Sequence, residues 1–193
     1  MMKPRVKNEK NRVLSSNKYT LREYSFDFLP ESSEAWEHHV REVFDRGDAA
    51  AVLLFNKLNR TVILTKQFRY PVYLVNQQNS SMEVCAGMLD GDSPRQCAIR
   101  EALEETGYQL SDLESLGAVF TSPGVSTEKI YLFLSEYNEA MKVTSGGGVK
   151  EEHEHINVVE LSLEQAIEKV QNGSICDAKT ILLLQAAQIK YTL

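Results

Sequence analysis

The stretch AGMLDGDSPRQCAIREALEETGY, residues 86–108, decides how the rest of the chain is interpreted. It opens with a turn rich in glycine and aspartate. Ser93 and Pro94 follow, an N-cap and first-turn pair that predicts the start of a helix. Gly107 predicts the end of that helix. We therefore expect one helix between these two signals.

On a helical wheel this segment has one apolar face and one acidic face. The apolar face comprises Ala98, Ile99, Ala102, Leu103 and Thr106, and the opposite face comprises Arg100, Glu101, Glu104 and Glu105. Like charges three or four residues apart on a helix cost roughly 0.2–0.5 kcal/mol per pair. Arg100 is spaced to reach Glu104, whereas Glu101 and Glu105 have no cation nearby in the sequence. The acidic face indicates either a site for a hard divalent cation or a solvated surface.

The same stretch resembles the Nudix box, G-x5-E-x7-R-E-U-x-E-E-x-G-U, in which U is an apolar residue. The match is complete from Arg100 to Tyr108. Upstream, Asp92 stands at the position of the first acidic residue, and Gly87 precedes it by five residues instead of six. The first half of the loop is therefore one residue shorter than the common pattern, which leaves the role of Asp92 open.

Composition predicts a soluble globular protein with one main domain. The chain has 193 residues, of which 42% are hydrophobic and 25% are charged. The net charge of −6 disfavours binding to nucleic acid. Since no apolar run approaches 18 residues, we expect no membrane span. Three cysteines without C-x-x-C spacing predict reduced thiols in a cytoplasm.

Patterns outside the box predict an α/β fold. Residues 11–46 alternate loosely and predict two or three antiparallel strands, and residues 49–69 predict a hairpin. The polar run at residues 72–81 predicts a loop, and the apolar pattern at residues 178–191 predicts a C-terminal helix. The resemblance implies the Nudix fold, an α/β/α layered sandwich with a mixed sheet, to which a small N-terminal antiparallel sheet is added. We expect residues 1–46 to form a dimerisation subdomain and residues 47–193 to form the Nudix domain.

Residues 138–155 are a second informative stretch, because three glycines in it, at 146–148, precede the charged run KEEHEH. This composition favours a mobile loop that closes over a substrate and brings a base with it. A disordered charged linker is the alternative. The spacing of His153 and His155 also fits a transition-metal site, but carboxylates without soft ligands suit Mg²⁺ better.

Several motifs resemble the GDP-mannose-hydrolysing branch of the Nudix family: REVFDRG, CAGMLDGD, SPGVSTE, GGGV and DAKTILLL. This resemblance implies cleavage of GDP-mannose into GMP and mannose 1-phosphate with Mg²⁺, for which Mn²⁺ is a substitute. It also implies a homodimer whose N-terminal strands reach the partner subunit. The alternatives are hydrolysis of ADP-ribose by the same chemistry and a Nudix-like sensor that binds a nucleotide sugar without cleaving it.

The resemblance also implies roles for individual residues. The Mg²⁺ ligands would be the Ala86 carbonyl and the carboxylates of Glu101, Glu105 and Glu154. The catalytic group would be Glu152 as base, with Arg100 and Glu104 as a supporting pair. Because the acidic loop is two residues longer than expected, Glu152 and Glu154 could exchange roles. The nucleotide sugar would be contacted by Lys18, Arg41, Glu42, Arg69, Gly87, Met88, Glu128, His153 and Lys179.

Two further expectations come from single residues. Glu83 could add a water-mediated contact to the metal. Lys179 lies in the first turn of the C-terminal helix, where a cation is unfavourable for the helix dipole, and this position favours a separate anionic partner.

Overall fold

A computed structural model describes residues 5–149 and 155–192. The chain forms two compact units. The first comprises residues up to Asp48 together with Phe120–Lys129, and the second comprises Ala49–Val119 together with the chain from Ile130 onward. The role of residues 1–46 as a dimerisation subdomain stays a prediction.

The first unit is built on a three-stranded antiparallel sheet, as the alternating pattern predicts. Its strands are β1 (Val6–Ser16), β2 (Thr20–Phe28) and β3 (Glu37–Asp45), in the spatial order β1-β2-β3. No residue of these strands is buried, and Val13, Leu14 and Val40 are between 37% and 50% exposed. Within the described chain the sheet therefore leaves apolar surface uncovered.

The second unit is built on a seven-stranded mixed sheet. Its strands are β4 (Ala49–Asn56), β5 (Thr61–Gln67), β6 (Ser81–Glu83), β7 (Cys85–Met88), β8 (Glu114–Phe120), β9 (Lys129–Glu136) and β10 (Asn157–Ser162). The main order is β10-β5-β4-β9-β8, with β6 paired to β5 and β7 paired to β4. Strands β4 and β9 are parallel, and β4 and β5 form the predicted antiparallel hairpin.

Helices cover both faces of this sheet. They are α1 (Tyr70–Asn76), α2 (Pro94–Glu101), α3 (Leu163–Gln171) and α4 (Ala178–Thr192), with a short 3₁₀ turn at Glu139–Met141. All eight residues of β4 are buried, and successive side chains point to opposite faces. Leu53 and Phe55 pack with the apolar residues of α3 and α4, whereas Val52 and Leu54 pack with Ala98 of α2. This α/β/α layering confirms the predicted fold class.

Helix α1 contradicts the loop predicted at residues 72–81. Pro71 stands in its first turn, where the fixed φ of proline suits a helix, and Gln77 ends it in the left-handed conformation. None of its residues is buried, although its sequence, YPVYLVN, is mostly apolar. The polar residues that favoured a loop begin only at Asn76. In the described part of the chain, no helix is long and apolar enough to span a membrane.

Candidate functional site

The loop before α2 is held closed by short-range contacts. The Ser93 side chain accepts a hydrogen bond from the Gln96 backbone N–H, and the Gln96 side chain accepts from the Ser93 backbone, which completes a capping box. Asp92 accepts a hydrogen bond from Arg100 Nε at 3.0 Å. Asp92 therefore links the shortened loop to the helix, which answers the question that the sequence left open.

Arg100 gathers the acidic residues of the box around one guanidinium. Its Nη1 lies 2.7 Å from Glu101 Oε1 and 3.1 Å from Glu104 Oε2, and its Nη2 donates to the Met88 carbonyl at 3.2 Å. The predicted approach of Arg100 to Glu104 is present. The expectation that Glu101 has no nearby cation is wrong, because its carboxylate contacts Arg100, the residue next to it in the sequence.

The helix of the box changes its winding after Glu101. Residues Ala102–Thr106 form a π-helical turn, and Gly107 ends it with a φ of 82°. A π turn holds more residues than an α turn, so side chains beyond it no longer follow the α-helical wheel. Glu105 is only 4% exposed, which argues against the solvated surface that was one of the two interpretations of the acidic face.

The carboxylates of Glu101 and Glu105 converge on strand β7. Glu105 Oε2 accepts a hydrogen bond from the Ala86 backbone N–H at 3.3 Å. A Cβ built on Gly87 would lie 1.9 Å from Glu101 Oε1, so the missing side chain of Gly87 makes room for that carboxylate. Burial, followed by the charge of Glu105, raises the pKa of the adjacent Cys85 thiol well above its ordinary value.

This arrangement fits a hard divalent cation. Two carboxylates beside the backbone of β7 supply oxygen donors, which Mg²⁺ prefers, and Mg²⁺ commonly completes its shell with water and phosphate oxygens. Within residues 5–149 and 155–192, no group of three or more His, Cys, Asp and Glu side chains stands ready to hold a metal ion. The predicted third carboxylate, Glu154, lies outside the described residues, as do Glu152 and His153.

The segment that leads toward those residues is anchored to the end of the box helix. The backbone N–H groups of Gly147 and Gly148 donate to the carbonyls of Glu105 and Glu104 at 2.9 and 3.0 Å. On the far side, Ile156 N–H donates to the Gly147 carbonyl at 3.3 Å. Two of the three glycines, Gly147 and Gly148, are therefore hydrogen-bonded to the helix that carries the acidic residues.

Arg69 and Lys179 lie together around Glu83. Arg69 Nε and Nη2 donate to the two oxygens of Glu83 at 2.9 and 3.1 Å, and Lys179 Nζ donates to Glu83 Oε2 at 2.7 Å. Lys179 also contacts Asp177 Oδ1 at 2.9 Å. The anionic partner inferred for Lys179 is thus supplied by the chain itself. Glu83 is engaged by these two cations, and the water-mediated metal contact expected for it stays a prediction.

The remaining predicted substrate contacts lie in the first unit. Arg41 lines a cavity of about 610 Å³ and donates to the Val40 carbonyl at 2.8 Å. Glu42 is exposed on β3, and Lys18 is exposed in the turn between β1 and β2. Glu128 is 7% exposed, and its carboxylate accepts from Thr121 Oγ1 at 2.8 Å. Their role in contacting the substrate stays a prediction.

Sequence reasoning missed several residues that shape the site. Asp177 accepts from Thr180 N–H at 3.0 Å and so caps α4, a role that an aspartate just before an apolar helical pattern could have indicated. Gln96, three residues after Ser93, is likewise a recognisable capping-box signal. The partners of Glu83 carried no such local signal, because Arg69 and Lys179 are far from it in the sequence.

Comparison of the sequence with known proteins shows which family the chain resembles. Residues 45–184 match the NUDIX domain, and residues 5–44 match the GDP-mannose pyrophosphatase NudK N-terminal domain. A GDP-mannose pyrophosphatase of Yersinia enterocolitica is 44% identical over 189 residues, which is 97% of each chain. One of Cronobacter sakazakii is 44% identical over 182 residues, which is 94% of each chain.

A solved structure described as an ADP compounds hydrolase has the same fold, with a TM-score of 0.73 over 95% of this chain and 92% of its own. Its sequence identity is 17%, so this likeness concerns the fold alone. The domain match, in contrast, covers more than half of the chain, and the relatives cover nearly all of it. This protein therefore belongs to the Nudix hydrolase family.

Proposed function

We propose that this protein hydrolyses the pyrophosphate of a nucleoside diphosphate sugar with Mg²⁺, and that GDP-mannose is its substrate, cleaved to GMP and mannose 1-phosphate. The observation that carries the proposal is the convergence of Glu101 and Glu105 on the backbone of β7. Support for the substrate comes from the relatives named GDP-mannose pyrophosphatase, which are 44% identical over nearly the whole chain.

Mg²⁺ would be held by the carboxylates of Glu101 and Glu105 and by the carbonyl of Ala86, with Glu154 as the predicted third carboxylate. When bound, the ion would shield the negative charge of the pyrophosphate and make an attacking water more acidic. Manganese is expected to substitute, because it also prefers oxygen ligands.

The residues around the box would keep these ligands in place. Arg100 holds Glu101 directly and is itself bound by Asp92 and Glu104. Partners of metal ligands orient them and strengthen binding. Glu152 stays the predicted base, since it lies outside the described residues.

Arg69 would bind the pyrophosphate. Its guanidinium forms a planar fork that matches phosphate oxygens, and its side chain is 40% exposed. Burial lowers its pKa, but the hydrogen bond with Glu83 and the charges of Glu83 and Glu105 raise it above the ordinary value.

A panel of nucleotide sugars tests the substrate. GDP-mannose, ADP-ribose and other nucleotide sugars would be incubated with the protein, Mg²⁺ and a phosphatase that releases phosphate only from the monoester products. We expect the highest kcat/KM for GDP-mannose. A preference for ADP-ribose would show that the protein applies the same chemistry to ADP-ribose instead of GDP-mannose. Tight binding of a nucleotide sugar without phosphate release would instead indicate a sensor and would overturn the proposed activity.

We also propose that the protein is a homodimer assembled through the first unit. No residue of β1–β3 is buried in the described chain, and exposed apolar surface on such a sheet favours contact with a partner protein. Light scattering after size-exclusion chromatography tests this, and a monomer at micromolar concentration contradicts it.

The cytoplasmic location stays a prediction. The cysteines support it, because Cys85, Cys97 and Cys176 are all free thiols.

A further inference from the structure

Glu83 is a buried carboxylate that binds two cations at once. It ends β6 and is 6% exposed. One oxygen accepts from Arg69 Nε, and the other accepts from both Arg69 Nη2 and Lys179 Nζ, at distances between 2.7 and 3.1 Å. Both oxygens of Glu83 are therefore engaged within the chain.

The two cations come from separate parts of the second unit. Arg69 immediately precedes α1, and Lys179 lies in the first turn of α4. Their contact with a single carboxylate ties the start of α1 to the start of α4. Lys179 has a second anion in Asp177, whereas Glu83 is the one carboxylate that hydrogen-bonds to Arg69 among the described residues.

The carboxylate of Glu83 is ionised in the folded protein. Burial raises its pKa, but the charge of Lys179 and the hydrogen bonds and charge of Arg69 outweigh burial and lower the pKa to about 2. The hydrogen bonds that Arg69 and Lys179 donate to Glu83 are therefore charge-assisted, and hydrogen bonds of this type are shorter and stronger than neutral ones.

Exposure shows which part of this group is available to a ligand. The side chains of Glu83 and Lys179 are 7% and 12% exposed, whereas that of Arg69 is 40% exposed. Glu83 occupies the Nε and Nη2 edge of the guanidinium. Within residues 5–149 and 155–192, no hydrogen bond engages Arg69 Nη1. The guanidinium thus keeps a second edge with which to grip an anion.

We propose that Glu83 is a positioning residue for the hydrolysis of the nucleotide sugar, which fixes the orientation of Arg69 so that the open edge of its guanidinium meets the pyrophosphate. This inference rests on the proposed function. A flexible arginine would have to lose side-chain freedom when the substrate binds, whereas Arg69 held by Glu83 has already lost it. The free-energy cost of ordering the Arg69 side chain is then part of folding and not part of substrate binding.

Glu83→Gln tests this role, because a neutral amide has one acceptor oxygen and cannot replace both contacts. We expect KM for GDP-mannose to rise on the order of 2- to 10-fold, the factor that corresponds to ordering one arginine side chain when the substrate binds. We expect kcat to change by less than about threefold, as for loss of an interaction that is equal in the ground and transition states. Glu164→Gln is the matched control: it breaks an Arg–Glu pair with Arg60 elsewhere in the same unit, and KM should stay at the wild-type value.

A double-mutant cycle separates positioning from plain stabilisation. If Glu83 acts through Arg69, then Glu83→Gln should raise KM in the wild-type background and leave it unchanged in an Arg69→Ala background. A merely structural role would lower the unfolding temperature in both backgrounds and leave KM unaffected in both. Equal effects on KM in the two backgrounds, or no effect in either, would overturn the proposal.

Two additions keep the test decisive. If Glu83→Gln does not fold, Glu83→Asp keeps the buried charge beside Lys179 but is too short for both cations, so a wild-type KM in that variant refutes the inference.

If the wild-type protein hydrolyses no nucleotide sugar, the proposed function fails. The inference about Glu83 is then tested by calorimetric binding of inorganic pyrophosphate with Mg²⁺. Weaker binding in Glu83→Gln supports it, and equal binding refutes it.

Discussion

Substitution of Gly87 by alanine tests directly whether Glu101 works from its observed position. A Cβ at residue 87 would lie 1.9 Å from Glu101 Oε1 and 2.1 Å from its Cδ, whereas ordinary contact begins at 3.4 Å. The carboxylate must therefore retreat by about 1.5 Å, the difference between these distances. Gly87 does not have a positive φ, so alanine fits its backbone without strain. The side chain of Glu101 is the group that has to move.

The expected loss of activity is much larger than the loss of stability. Alanine stabilises the fold by about 0.4–1 kcal/mol through the unfolded state. Disturbing the partly exposed pair of Glu101 and Arg100 costs up to about 1 kcal/mol. These terms nearly cancel, so the unfolding temperature should change by less than about 4 °C. A displacement of about 1 Å at a catalytic group costs on the order of 100-fold in rate, and we expect at least this loss in kcat/KM.

Three measurements on Gly87→Ala and wild type decide the matter: initial rates with GDP-mannose and Mg²⁺, calorimetric binding of Mn²⁺ alone, and thermal unfolding. Gly124→Ala is the matched control for stability, because its φ is not positive and no atom lies within 4 Å of the added Cβ. We expect Mn²⁺ affinity and kcat/KM to fall together. Wild-type values of both would refute the assignment of Glu101. A raised KM with unchanged Mn²⁺ affinity would refute it as well, and would point to the substrate contact predicted for Gly87 itself.

Three further predictions use the same region. Glu105→Gln should abolish Mg²⁺-dependent hydrolysis and leave the fold intact, because the amide oxygen can still accept from Ala86 N–H; a near-normal kcat with a normal unfolding temperature would contradict the metal assignment. Gly146→Ala should destabilise the protein by about 1–3 kcal/mol, measured by urea denaturation, because φ is +66° and the added Cβ would lie 2.5 Å from the Glu105 carbonyl oxygen. Gly91→Ala has a φ of +95° without any clash, so an equal cost there would show that the contact with Glu105 is unimportant. The pKa of Glu83 is about 2 when folded and 4.5 ordinarily, so its contribution to the free energy of unfolding, on the order of 3 kcal/mol, is present above pH 4.5 and is lost as the pH falls toward 2. Glu83→Gln should flatten the pH dependence of stability in this window, and an unchanged slope would refute the ionised pair.

Local signals predicted much of the fold. The N-cap at Ser93 and the helix end at Gly107 were predictable because each depends on hydrogen bonds within about four residues. The buried strand β4 and its hairpin with β5 were predictable because a run of seven apolar residues followed by a polar turn is typical of a strand that is covered on both faces. Helix α1 was missed, because it is exposed on all sides and has no apolar period that marks a core-facing helix.

The box residues show the limit of such reasoning. Their spacing was sufficient to predict that Arg100 approaches Glu104, and the resemblance to the Nudix box implied that Glu101 and Glu105 lie near Ala86. The widening of the helix at residues 102–106 could not be read from a wheel that assumes one winding throughout. Carbonyls at its end receive backbone N–H groups of Gly147 and Gly148, about forty residues further along the chain. The segment that contains Gly147 and Gly148 therefore packs against the end of the helix where Glu105 is buried.

The sequence by itself determined the family, the fold class and the set of acidic residues at the box, because these follow from short motifs and from the periodicity of burial. Only the tertiary structure decided which charges meet. Glu83 and Lys179 are 96 residues apart, yet their contact and that of Arg69 define the cation group of the proposed site. The physical reason is that an ion pair depends on distances set by packed strands and helices, and sequence spacing carries no record of those distances.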